Sequence, residues 1–181
     1  EAMSLDVPGT YTAGDSFGVT VQRAGWHMLG NPFADPLDWT GVQGENLATY
    51  GWLWDCQQNS YRLVSNLDGL NVATEIPPWY GFWVKLLGEQ CDVRMVSGPV
   101  DAAEVESMSV ASEAPGDWMI RLTASAGSCQ DIDNWVGTLQ SGPQRLSGPP
   151  KPAGAYVDLF LTPDAGRRDA INVASATDAT L

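Results

Sequence analysis

The chain has 181 residues, 44% of them hydrophobic, with a formal net charge of -13 and a single histidine. That apolar fraction argues against a disordered chain, and the acidity argues against nucleic acid and anionic membrane surfaces as partners. No apolar run approaches the about 18 to 20 residues that insert across a bilayer, and no charged, then apolar, leader opens the chain. For an exported protein the signal is therefore already gone, and Glu1 in place of Met fits either processing or a piece cut from a longer chain.

Almost nothing has helical periodicity. Apolar residues alternate or come in short runs broken by Gly, Pro, Asn or Asp, the pattern of an all-β sandwich. In chain order, Phe17 to Gln22 puts Phe17, Val19 and Val21 on one face, as a period of two requires. Gly51 to Asp55 and Tyr61 to Val64 read as a strand pair across the polar turn Cys56 to Ser60. Gly81 to Leu86 begins after the rigid Pro77-Pro78, and Asp92 to Val96 completes a first sandwich domain over 1–97.

From 98 to 116 the character changes. Asp101, Glu104, Glu106 and Glu113 alternate with Ala, Ser and Val, which reads as a solvated acidic linker. A short strand at Ser107 to Ala111 and a helix over Val100 to Met108 compete for it. A second sub-domain, 117–181, then offers strands at Trp118 to Ala124, Asn134 to Leu139, Tyr156 to Leu161 and Ala170 to Ala174, with Gly142 to Pro152 a stiff extended connection. That is thin for a closed sandwich, which takes about seven strands. Its edges therefore call for the first half, another copy or further sequence.

The chemistry-bearing residues are few. Cys56, Cys91 and Cys129 are too scattered for a zinc site; a disulfide between Cys56 and Cys91 competes with three reduced, buried thiols. Asp131 and Asp133 stand two apart on an extended chain, a beginning of a calcium site, although the glycine and distal glutamate of an EF-hand loop are missing and a polar turn explains them as well. Core packing accounts for Trp26, Trp54 and Trp83, whereas Trp52, Trp79 and Tyr80 are the candidates for stacking on sugar rings. No nucleophile motif or phosphate loop is present, and His27 lies in an apolar strand-like segment, so no catalytic role and no cofactor beyond that calcium is expected.

Gly25-Trp26-His27-Met28-Leu29-Gly30-Asn31-Pro32-Phe33, then Pro36 to Trp39 and Ile76 to Lys85, carry a resemblance. The stretch from Phe17 to Val96 resembles β-modules of large secreted bacterial surface proteins, which read roughly GWNLIGNPF…PLDW…IPPGQGFWVK, with His27 where those modules have Asn. Trp118 to Leu122, Asp131 to Asn134 with Gly137, Pro149-Pro150 and Tyr156 to Phe160 are similar to the companion segment of the same proteins. The resemblance implies a β-sandwich on an exported surface protein with no defined enzymatic activity.

The expectation is therefore an extracellular, cell-surface structural or adhesive module, a filament or stalk subunit. It would self-associate or join neighbouring surface domains by strand addition through Glu1 to Ala13 or Arg167 to Leu181. A carbohydrate-binding module of a secreted hydrolase is the alternative.

Overall fold

The computed structural model describes residues 14–66, 72–98, 118–139, 144–162 and 168–175. The acidic linker, apart from its first residue, and the segment Glu1 to Ala13 lie outside the described residues.

The chain is all-β. Strands β1 (Ser16–Gln22), β9 (Gln90–Val96) and β4 (Val42–Gln43) form one sheet in the order β1-β9-β4. A second sheet runs β2-β8-β5-β6, from β2 (Gly25–Gly30), β8 (Gly81–Leu86), β5 (Leu47–Asp55) and β6 (Ser60–Ser65). Between them β3 (Leu37–Asp38) pairs with β7 (Glu75–Ile76), and a 3-10 turn at Trp39–Gly41 is capped by the Asp38 carboxylate, which accepts from Thr40 N at 2.8 Å. The second half supplies a third large sheet, β10-β11-β13-β12, from β10 (Trp118–Ala126), β11 (Cys129–Leu139), β13 (Asp169–Ser175) and β12 (Gln144–Ser147).

Side-chain alternation decides what each sheet faces. Val21, Val42, Val93 and Met95 of the first sheet meet Leu53, Val64, Phe82, Val84 and Leu86 of the second in one buried core. Each fully buried side chain of this size is worth about 1.5 to 3 kcal/mol relative to exposure. The opposite face of the same sheet presents Tyr50, Trp52 and Leu63, with Trp26 and Trp83 partly buried beside them, to Trp135, Leu146 and Ile171 of the third sheet. The β2-β8-β5-β6 sheet is thus covered on both sides. Its central strand accordingly has a continuous buried run, Tyr50 to Leu53, rather than strict alternation.

Glycine permits the closest approach. A Cβ on Gly51 would lie 2.6 Å from Trp83 O and 2.7 Å from the Trp39 ring, so any side chain there would push β5 off β8.

The free edge of β6 is closed without a strand. Asp133 accepts from Leu63 N at 2.8 Å, while Ala73 N donates to Leu63 O at 3.1 Å and Ser65 N to Ala73 O at 2.9 Å. Asp133 is 1% exposed and is also held by the Arg121 guanidinium, so one carboxylate ties β11, β10 and β6 together. Tyr50 and Lys85 meet Ser147 Oγ at 2.9 and 2.7 Å, a second tie between the halves.

Three expectations need correction. Tyr156 to Phe160 forms no strand; only Leu161 bridges, to Asp169. Part of the stiff connection, Gln144–Ser147, is a strand because β13 offers it an antiparallel partner. Residues 168–175 are not a free tail either: β13 sits inside the third sheet, parallel to β11 and antiparallel to β12.

Candidate functional site

The β11 strand carries a bulge. Leu122 pairs with Asn134 and Ala124 with Asp131, so two steps along β10 are matched by three along β11. The extra residue re-aims the side chains that follow it, a use bulges commonly serve beside binding sites. Asp133 goes to β6, whereas Asp131 goes to the other neighbours: its carboxylate accepts from Asn134 Nδ2 and from Leu159 N, both at 2.7 Å. Burial pushes the Asp131 carboxyl above its ordinary range, opposed by those two hydrogen bonds, and the carboxylates of Asp158 and Asp133 push the same way as burial.

The Leu159 bond draws the irregular segment 148–161 alongside β11 and opposite the β5–β6 hairpin. Cys129 Sγ adds a contact to Ala155 O and receives one from Asn59 Nδ2, both at 3.3 Å. The result is a cleft of about 190 Å³. One wall is the edge-to-face pair of Trp54 and Tyr61, with ring centroids 4.9 Å apart; the other holds Tyr156, Phe160 and the Pro149-Pro150 pair. Polar groups enter from Asn59, Gln130, Asp131, Asn134 and Asp158.

The cations in this cleft are already engaged. Arg168 donates to Asp158 at 2.7 Å and lies over the Phe160 ring at 3.6 Å, and Lys151 Nζ stands 5.8 Å from the Tyr156 centroid. One acceptor is not engaged. Asn134 is 1% exposed, and its Oδ1 has no hydrogen-bond partner among the described residues.

The structure separates the residues proposed from sequence. Trp52 touches the cleft but is 2% exposed, its Nε1 donating to Ser147 O at 3.3 Å, so it is packing between sheets and no stacking platform. Trp79 and Tyr80 are exposed on the β7–β8 turn, away from the cleft lining. Asp131 and Asp133 do not converge on one point, because the bulge sends them to different partners. Among the described residues no group of three or more His, Cys, Asp or Glu side chains is placed to hold a metal ion. The Cys56–Cys91 disulfide is not formed: all three cysteines are free, Cys56 exposed on the hairpin turn and Cys91 buried in the first sheet's core. Burial raises the Cys91 thiol, as do the neighbouring Asp92 and Glu45 charges. His27 Nε2 contacts Arg23 O at 2.7 Å.

Sequence reading missed Asn134, Tyr61, Tyr156 and Phe160 as one group. The only signal was the aromatic content of the two segments that the fold brings face to face.

Three strands of six residues or more also end sheets without a further partner among the described residues. They are β10, with Trp118 48% and Ile120 52% exposed, β1, with Phe17 partly exposed, and β2, with Met28 exposed. Natural edges are usually blunted by charge, proline or shortness. The β1 strand has no charged residue, and Arg121, the one charge of β10, is engaged by Asp133.

No protein-family model, curated protein or solved structure matches this chain. Among the described residues no helix is long and apolar enough to cross a membrane.

Proposed function

We propose that the chain is a non-catalytic structural or adhesive module of an extracellular surface assembly, joined to a second copy by strand addition. The observation that carries this reading is the pair of unprotected edges, β10 and β1, at the margins of different sheets. Backbone N–H and C=O groups along such edges are templates for another strand, and apolar side chains on them add burial. A contact from β10 of one copy to β1 of the next is heterologous, so it builds a ring where the rotation closes and an open fibre where it does not, rather than a two-fold dimer. In this reading the segment Glu1 to Ala13, which precedes β1 in the sequence, would extend that contact.

The charge of -13 opposes self-association, so assembly is expected to strengthen as salt rises toward physiological strength. Sedimentation velocity over a concentration series, with negative-stain microscopy, tests the reading. The expected result is concentration-dependent oligomers or fibres in the natural chain and monomers in Ile120→Lys. A natural chain that stays monomeric at every concentration and salt level overturns it.

A further inference from the structure

We propose that the cleft between the β5–β6 hairpin and the segment 148–161 binds a single neutral sugar ring, held between aromatic walls by hydroxyl groups that donate to Asn134 and Asp131.

The argument begins with Asn134. Its amide orientation is not free, because an ionised carboxylate only accepts and Asp131 must therefore receive the NH2 group, which it does at 2.7 Å. That leaves Oδ1 as an acceptor inside a 1% exposed residue that lines the cleft, with no donor to meet it. A buried acceptor left unmet forfeits its hydration with nothing in return, and such a group in a native fold calls for an explanation. A ligand O–H supplies the missing donor.

The walls select the rest of the ligand. Trp54, Tyr61, Tyr156 and Phe160 offer apolar ring faces and edges around acceptors, the combination that suits a ring with C–H groups on its faces and hydroxyls at its rim. A cationic ligand is disfavoured, since Lys151 and Arg168 line the same cleft, each over one face of the Tyr156 or Phe160 ring, and repel a further cation, and Asp158 is paired. An anion is disfavoured by Asp131, Asp158 and the overall charge of -13. The volume, about 190 Å³, is below the roughly 300 to 1,000 Å³ of sites that enclose drug-sized ligands, so one ring fits the space better than a chain of them. Tyr156 and Phe160 are partly exposed, which leaves the mouth of the cleft open to solvent.

The test uses the full chain and a panel of methyl glycosides of glucose, galactose, mannose and N-acetylglucosamine, with choline and inorganic phosphate as charged comparators. Saturation-transfer NMR and tryptophan fluorescence titration report binding. At least one glycoside is expected to bind. Tyr156→Ala, a change at a partly exposed site, is expected to weaken it about fivefold to tenfold. Asn134→Ala is expected to weaken it by about tenfold or more.

If Asn134→Ala fails to fold, Tyr156→Ala and Phe160→Ala still decide the matter. Binding of no glycoside, binding that both aromatic variants leave unchanged, or capture of choline or phosphate in preference to every glycoside would each overturn the proposal. None of these outcomes bears on assembly through β10 and β1, which is read by sedimentation.

Discussion

The two halves of the molecule solve the same problem with unequal means. The first half, 14–98 in the described residues, owns a core: every residue of the larger cluster, from Val21 to Met95, belongs to it. Among the described residues the second half owns none. Trp135, Leu146, Ala170 and Ile171 are buried only together with Ala48, Tyr50, Trp52 and Leu63 of the first. A single sheet cannot exclude water from either face, so the third sheet is stable because it leans on the second. Its other face and its β10 edge keep Trp118 and Ile120 half exposed, and one of its flanks forms the cleft.

That asymmetry can be broken by core truncation. Phe82→Ala, at a fully buried position of the first half's own core, is expected to cost about 3 to 5 kcal/mol and to lower amide protection throughout the chain. Ile171→Ala, equally buried but in β13, is expected to cost about 2 to 4 kcal/mol. Its protection loss should concentrate in β10 to β13 and leave β8 and β9 protected. Hydrogen exchange that shows equal losses in both halves for Ile171→Ala would mean the two fold as one indivisible unit.

Asp133→Ala probes the tie between the halves. It strands the Leu63 N–H and the Arg121 guanidinium, of which the latter is partly solvated. The expected loss in urea unfolding is about 2 kcal/mol, below the about 3 to 5 kcal/mol of a fully buried pair. Asp133→Asn, which keeps an acceptor for Leu63, should recover part of it.

Asp131 gives a smaller effect whose sign is fixed. Its folded-state carboxyl is raised above the ordinary 3.8, chiefly by burial, so the folded chain holds this proton more tightly than the unfolded one. Its contribution to stability is therefore full below the unfolded value and is lost as pH rises through the raised folded value. Compared with Asp131→Asn, the natural chain should lose relative stability as pH rises from about 4 to 7. Melting temperatures of the pair across that range provide the check, and a gap that widens in favour of the natural chain would refute it.

The smallest effect is at Trp79, in the first half and outside both cores. The turn Pro77 to Tyr80 closes with Tyr80 N donating to Pro77 O at 3.2 Å, and its third residue, Trp79, has φ 63°. That position of a type II turn calls for glycine or asparagine. Asn31 holds the turn in place, donating to Ile76 O at 3.0 Å and to Pro77 O at 3.2 Å. Trp79→Gly is expected to raise stability by about 0.5 kcal/mol, the relief of left-handed strain less the added entropy of glycine in the unfolded chain. A drop in melting temperature would show that the exposed indole makes a stabilising contact that outweighs the strain.

Much of the first half was legible in the sequence. Phe17 to Gln22, Tyr61 to Val64 and Gly81 to Leu86 alternate or are bounded by turns, and they became β1, β6 and β8 with small changes at their ends. The Gly51 to Asp55 run was legible as a strand, and the unbroken burial from Tyr50 to Leu53 is the mark of a strand covered on both faces. Less of the second half could be read. Gln144–Ser147 has no strong strand pattern of its own and pairs because β13 lies beside it, while Tyr156 to Phe160 alternates well and finds no strand to pair with.

The local chemistry of the chain, its period-two patterning, its prolines and its turn residues, by itself determined an all-β protein with strands close to where they lie. Only the tertiary structure decided that the halves share one sheet as a common wall, that a bulge parts Asp131 from Asp133, and that Trp52 is packing rather than platform. The physical reason is range. Alternation and turn preference act between residues a few positions apart, whereas the pairing of β11 with β13, the Asp133 bond to Leu63 and the walls of the cleft join segments far apart in the chain. Such contacts depend on which apolar faces remain uncovered once the local elements have formed, and no local pattern records that.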